Sequence, residues 1–397
     1  MLNVLFVLYN DFTTNSAVHV FNLANALSEF GCDCAVAVPS GKPTLNALGK
    51  ARFRAVEFDE VRGGNWLFSN GRGPDIVHAW TPRENVRQFC EEIQKRSNAL
   101  QFVHLEDNEW YITAKMLNRD LAELSSLSEC ELDHLVPAHL CHPRRAVRFL
   151  QKASGVTVII DRLKEFVPDN VPRVELWPSA DPNLFFPRPV DYHQRSKLIG
   201  LNRIMLAYTG NVHAANAAEV RSIYLATAIL NREGHPTTLV RTGRDYFPFL
   251  GQDESWARSY SVELGFVPYS QIPDVLALSD ILIQPGKPDA FNDYRFPSKL
   301  PEFLAMGRPV VLPATNLALS MRHGQDAYVL PRADALAITD AVKAITGDRA
   351  LRERLAKGAR AFYDQHLSWQ RSATSLLAFY QSIVASRTPE RLVAANF

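Results

Sequence analysis

The residues best suited to chemistry lie in one stretch, SDILIQPGKPDAFNDYRFPSKLPEFLAMGRPVVLP, at positions 279–313. An apolar run ends near Gln284 and Pro285, and a loop rich in Gly, Pro, Asp and Asn leads into a helix expected over 298–306. Ser298 is placed to cap that helix, Pro301 falls in its first turn where a missing N–H costs nothing, and Gly307 stops it. Arg295 and Lys299 flank the start, and Glu302 follows one turn later. A helix start favours an anion such as a diphosphate. A carboxylate one turn on can accept both hydroxyls of a vicinal diol such as a ribose. Two cations and one acid at this spacing suit a nucleoside diphosphate; an ordinary surface helix with Lys299 and Glu302 as an i,i+3 pair is the plain alternative.

A second group of polar residues follows apolar runs nearer the start. In NDFTTNSAVHVF, Asn15 and Ser16 stand at the beginning of a helical pattern, where each either caps the helix or bonds a phosphate. LQFVHLEDNEW ends a strand at His104 and continues with Glu106, Asp107 and Glu109. These acids either stabilise a helix start or supply a base for an acceptor hydroxyl. Trp80, Trp110 and Tyr111, close after strand ends, offer aromatic faces to a sugar ring or to the core. His78 and His104 are otherwise structural imidazoles with a backbone partner.

What must position these residues is legible in the periodicity. Apolar runs of four to eight residues alternate with helical stretches, the pattern of repeated βα units and a parallel sheet. Strands are expected at 2–9, 33–38, 53–58, 75–80, 100–105 and 155–160, with helices at 17–29 and 83–96 and several near 108–152. A second set has strands at 203–209, 236–242, 262–267, 280–284, 309–312 and 327–330, with helices at 214–231, 270–277 and 298–306. Between them WPSADPNLFFPRPVDYHQRSKLIG carries four prolines and neither periodicity, so 179–200 reads as a linker. The expected fold is α/β, with two Rossmann-like doubly wound parallel-sheet domains over 1–178 and 201–365. A helical segment over 366–397 is expected to pack back on the first domain. Such sheets bind ligands beyond the carboxyl ends of their strands, so two of them facing across a linker would make a cleft.

With 43 Lys+Arg against 42 Asp+Glu, the formal net charge is +1, which removes the charge argument for a nucleic-acid coat or a polybasic membrane binder. Five cysteines without a CxxC pair read as buried, reduced thiols rather than disulfides or a zinc site, and no metal ligand set is assigned. No apolar stretch approaches the length that spans a bilayer, so the expectation is a cytoplasmic protein with peripheral membrane contact left open.

The motif Arg295-xxx-Lys299-xx-Glu302-Phe303-xx-Met306-Gly307-x-Pro309-Val310-Val311 resembles the donor site of the retaining family 4 glycosyltransferases, which have the GT-B fold of two facing Rossmann-like domains. PDIVHAWTP, VELWPSADPNLFFPRP, YTGNVHAAN, VELGFVPYSQIPDVLALSDILIQPG and HGQDAYVL match the same family in the expected order. The resemblance implies transfer of a sugar from a nucleoside-diphosphate sugar, used as co-substrate, to a saccharide, lipid-linked or small-molecule acceptor. It implies retention of configuration and no cofactor; the chain also lacks the Asp-x-Asp triplet that cages a metal-bound diphosphate in the other common fold.

By the same resemblance His104 lies beside the reacting sugar, with Arg295 and Lys299 on the diphosphate. Glu302, Asn211, Arg241, Gly243, Arg244, Phe266, Tyr294 and Ser298 surround the donor, with Asn15 and Ser16 from the first domain. By their own placement at strand ends, Trp80, Glu106 and Asp107 are the candidates for the acceptor. Two positions depart from the pattern. Tyr294 replaces the first of two acids eight apart, with Asn292 or Asp293 as substitutes, and Asn211 and Asn216 replace an Arg and a Lys. Two other readings remain: an epimerase or phosphorylase on the same frame, and a catalytically silent nucleotide-sugar binder.

Overall fold

The computed structural model describes residues 1–63 and 68–394. The chain divides into two compact units, Met1–Pro178 joined by the segment from Trp369 onward, and Ser179–Ser368. The first is built on seven strands: β1 (Asn3–Leu8), β2 (Asp33–Val38), β3 (Arg54–Glu57), β4 (Ile76–Trp80), β5 (Leu100–Leu105), β6 (Gly155–Val158) and β7 (Arg173–Glu175). They form one parallel sheet in the order β3-β2-β1-β4-β5-β6-β7. The order reverses beside β1, the position at which a doubly wound sheet opens its crevice. β1, β4 and β5 are buried along their whole length, which is why they read as apolar runs rather than alternating strands.

The sequence places four of these helices only as a region near 108–152; they are Glu109–Met116, Leu121–Ser126, Glu129–Leu135 and Pro143–Gln151. The C-terminal helix Trp369–Ala394 packs on the helix Asn15–Glu29. Trp369, Ala373, Leu376 and Tyr380 complete the core over β1 and β2. Gly155 is a glycine because of this return: a Cβ there would meet Phe102 and Phe379 ring atoms at 2.7 Å. The sequence pattern also misses β7, a three-residue edge strand too short to show a period.

The second unit holds β8 (Ile204–Thr209), β9 (Thr237–Thr242), β10 (Ser261–Glu263), β11 (Ile281–Ile283), β12 (Val310–Pro313) and β13 (Tyr328–Leu330). These form a parallel sheet in the order β10-β9-β8-β11-β12-β13, with its own core under the helices Ala217–Arg232 and Ala335–Gly347. The segment 179–200, read as a linker without periodic structure, belongs to this unit and contains the helix Tyr192–Ile199, capped by Asp191 Oδ1 accepting from Gln194 N at 2.9 Å. Four cysteines are buried, but Cys130 is exposed; its helix Glu129–Leu135 turns only Leu132 inward.

Candidate donor site

In the second unit the chemistry gathers where β8 and β11 end. Gly210 follows β8 at φ 147°, and a Cβ on it would meet Lys299 Cε and the Tyr208 hydroxyl at 3.2 Å. The bare backbone therefore lets Lys299 lie against the strand end, its Nζ 5.0 Å from the Tyr208 ring centre. Gly243, also at positive φ, packs so closely on the Gly210–Asn211 peptide that a Cβ would sit 2.3 Å from the Gly210 oxygen. Gly243 shapes the loop by this close approach.

Lys299 begins the helix Lys299–Ala305, as the spacing predicts. Ser298 occupies the cap position, but its backbone is already helical and its side chain makes no capping bond, which corrects the expected cap. Lys299 is half-buried and has neither hydrogen bond nor ion pair within 4 Å among the described residues. The Lys299–Glu302 ion pair of the plain alternative is thus not formed. Burial, with the Arg295 charge nearby, pulls the Lys299 ammonium down to about 8, against the opposing pull of Glu302 and Glu219.

On its other side Glu302 faces the Tyr269 phenol, close enough to act on its carboxylate. Burial nevertheless pushes the Glu302 carboxyl up to about 7, while Lys299 and Tyr269 favour its charged form. Burial, reinforced by the Glu302 charge, likewise raises the Tyr269 phenol.

Arg295 is anchored by residues that sequence spacing does not pick out. Its guanidinium donates to Asn292 Oδ1 at 2.8 and 3.1 Å, lies 3.3 Å from Glu219 Oε2, and covers the Phe291 ring at 4.1 Å. Asn292 in turn donates to Glu219 Oε1 and sits in the Asn316 contact that closes the loop. Glu219 lies in the first turn of the helix after β8, where a carboxylate reads as a routine dipole partner, so nothing in the sequence singles it out. Burial raises its carboxyl despite Arg295 and Asn292.

Other expected donor residues are spent on the fold. Asn211 Oδ1 accepts from Arg244 N at 2.8 Å, and Asn216 bonds the Asn211 carbonyl and the His213 amide. Arg241 is buried and paired with Asp245 at 2.6 Å, so it does not join Lys299. Arg244 is exposed and its guanidinium lies 5.7 Å from the centre of the exposed Phe266 ring. Tyr294 is half-buried in the short turn Asn292–Tyr294.

The first-unit candidates form a different kind of site. Glu106 is buried; its Oε1 accepts from Trp80 Nε1 at 2.7 Å and lies 2.7 Å from His19 Nδ1, and its Oε2 accepts from Ser16 Oγ. Burial would raise this carboxyl, but the His19 and Ser16 bonds outweigh it and hold it down to about 2. Trp80, expected to offer a face to the acceptor, is 1 % exposed and stacks on His104 at 3.8 Å. Glu106 is likewise withdrawn from any acceptor because its oxygens are satisfied internally.

His104 is buried with Nδ1 2.7 Å from Thr157 Oγ1, while its Nε2 is buried without a partner. Burial pulls its imidazole down to about 3, against Glu106, so the ring is neutral at physiological pH. Thr14, not Ser16 or Asn15, caps the helix Asn15–Glu29, its Oγ1 accepting from Ala17 N; Asn15 is exposed. Ser16 donates to Glu106 instead. Asp107 is half-buried and adds negative charge near Arg83. Thr81, just past β4, has φ 72° and a buried hydroxyl without a partner, an outlier for a β-branched residue that the sequence does not signal.

Residues 203–348, within the second unit, match the family model of the glycosyl transferases group 1. No curated protein sequence matches the chain. Among solved structures it is similar to Anabaena Alr3699/HepE in complex with UDP and glucose, with a TM-score of 0.70 at 14 % identity over 96 % of this chain and 100 % of that one. Sucrose-phosphate synthase from Thermosynechococcus elongatus superposes with a TM-score of 0.70 at 13 % identity, over 97 % and 100 % of the two chains. WaaG, a glycosyltransferase involved in lipopolysaccharide biosynthesis, gives 0.61 at 14 % identity over 94 % and 98 %. At these identities the likeness establishes the fold. Residues 203–348 thus match the group 1 glycosyl transferase model, and the chain carries the GT-B fold.

Proposed function

We propose that this protein transfers a sugar from a nucleoside-diphosphate sugar, bound by the second unit, to an acceptor hydroxyl bound by the first, with retention of configuration. The observation that carries this is Lys299, a half-buried ammonium with neither hydrogen bond nor ion pair among the described residues, set against a bare strand end beside Arg295 and Glu302. Asn211, Asn216 and Arg241 are engaged in the fold, and Lys299 with Arg295, held by Glu219 and Asn292, is assigned to the diphosphate, the exposed Arg244 standing apart against Phe266. As the bond from the anomeric carbon to the phosphate oxygen breaks, charge grows on that oxygen, and preorganised cations stabilise it. The acceptor oxygen forms the new bond to the same carbon, and its proton passes to the departing phosphate. Glu302, steadied by Tyr269, accepts the ribose diol.

Glu219 and Asn292 hold Arg295 in place, which offsets the change to Tyr294 without restoring a carboxylate there. On the first unit, the acceptor side is assigned to the ends of β1 and β5, where Tyr9 and Asp107 are half-buried while Trp80 and Glu106 are sealed into the core. The reaction needs no metal on this reading. No described helix is long and apolar enough to cross a membrane, and a cytoplasmic location with a peripheral membrane acceptor is compatible with the reading.

Because the HepE neighbour binds UDP and glucose, uridine diphosphate sugars are the first donors to test. The purified chain is incubated with a donor panel, and free nucleoside diphosphate is measured with and without mixed saccharide and lipid-linked acceptors. Release only with an acceptor supports transfer. Release without one, or donor binding with no turnover on any acceptor, overturns it.

A further inference from the structure

The second unit has a cavity that Gly307 and Pro309 border but that none of Arg295, Lys299, Glu302, Glu219 and Asn292 lines. Its volume is about 520 Å³, and it lies at the amino edge of the sheet, beside the helix Tyr192–Ile199. Arg203 directly precedes β8, Asp280 directly precedes β11, and Arg308 stands two residues before β12; the helix Arg349–His366 contributes Arg352. Six-residue β8 spans about 20 Å, so this cavity and Lys299 lie at opposite ends of the same strand.

The lining has cations in excess. Its two carboxylates are already neutralised. Arg195 clasps both oxygens of Asp280, one at 3.0 Å, with Met205 N adding a bond at 2.8 Å, and Glu353 accepts from Arg349 at 2.8 Å. Three guanidiniums remain without a carboxylate within 4 Å among the described residues. Arg203 donates to neutral acceptors, Thr238 Oγ1 at 2.7 Å, Asn231 Oδ1 at 2.9 Å and the Thr237 carbonyl at 2.6 Å. Arg308 donates to the Arg188 and Ala277 carbonyls at 2.9 and 2.6 Å, and its Nε is buried with no partner. Arg352 is half-buried, and its guanidinium makes no hydrogen bond among the described residues.

Several cations left uncompensated in one concave site are costly unless an anion completes them. Guanidinium forks match phosphate oxygens in geometry as well as charge. The volume falls within the range of small-molecule sites and exceeds what a bare phosphate fills. Tyr192, 75 % exposed, adds an aromatic ring and a hydroxyl at the lining.

We propose that this cavity is a second ligand site, distinct from the donor site, for a sugar-sized phosphate monoester held by Arg203, Arg308 and Arg352. It does not depend on the transferase reading. The test titrates glucose 6-phosphate into the full chain carrying Lys299→Ala, which silences the other anion site, and follows binding by calorimetry at low salt. Saturable binding is expected, with glucose giving none. Adding Arg352→Glu weakens it by about tenfold or more, with an unchanged melting temperature in the absence of ligand. No saturable binding to the Lys299→Ala chain overturns the proposal, as does equal binding after Arg352→Glu. Inorganic phosphate binding as tightly as the ester overturns the ligand class.

Discussion

Glu106 in the first unit and Lys299 in the second both follow strands near the middle of their sheets, yet they are treated in opposite ways. Glu106 is buried, charged and satisfied by Ser16, His19 and Trp80. Lys299 is only half-buried, is driven toward its neutral form, and has neither hydrogen bond nor ion pair among the described residues. A closed polar network of the first kind is architecture: it specifies how the helix Asn15–Glu29 seats on β4 and β5. A cation left open, with a glycine cleared beside it, stores unmet electrostatic capacity for a ligand. Residue type alone does not separate the two cases; completeness of the partner set does.

The contrast can be broken by substitution. Glu106→Ala leaves His19, Ser16 and Trp80 without their common acceptor and should cost about 3–5 kcal/mol of stability, read as a shifted urea midpoint. Lys299→Ala should lower turnover by about a hundredfold while the melting temperature holds or rises, because a charge disfavoured by burial has been removed. If Lys299→Ala unfolded the protein and Glu106→Ala left it stable, the two roles would be reversed. Glu219→Gln should reduce turnover by about tenfold through a loosened Arg295, with Glu219→Asp recovering part of it; equal loss in both would mean the carboxylate does not orient the guanidinium.

pH sharpens the same comparison. Glu106 is held down to about 2 from an ordinary 4.5, so its contribution is present above 4.5 and is lost as the pH falls through about 2. Acid unfolding of Glu106→Gln should lack that component. In the donor site the signs invert: Glu302 ionises near 7 and Lys299 loses its proton near 8. Nucleoside diphosphate affinity, followed by calorimetry, should therefore fall below about 7 and above about 8, and Lys299→Met should remove the alkaline limb. The smallest effect is expected from EDTA, which should leave turnover unchanged.

Much of the scaffold was readable because parallel strands buried on both faces are continuous apolar runs: 33–38 and 100–105 match their observed limits. β7 and the helix Tyr192–Ile199 escaped, the first for its length and the second because prolines dominate the surrounding segment. In the candidate site, Arg295, Lys299 and Glu302 were visible from local spacing on one short helix and its approach. Glu219 and Tyr269 were not, since each reaches the group from another element. Trp80 and Glu106 were misjudged for the same reason: position after a strand says nothing about whether side chains from the helix Asn15–Glu29 and from His104 will close over them.

Periodicity and short-range spacing are properties of the chain, and they carried the two parallel sheets, their order of elements and the cation-cation-acid triplet. Which polar groups are saturated and which are left open depends on partners far apart in sequence, such as Ser16 with Glu106 and Glu219 with Arg295. Burial then sets the sign of each carboxylate's titration. Those outcomes follow from packing, because a hydrogen-bond partner 76 to 90 residues away leaves no local trace in the chain.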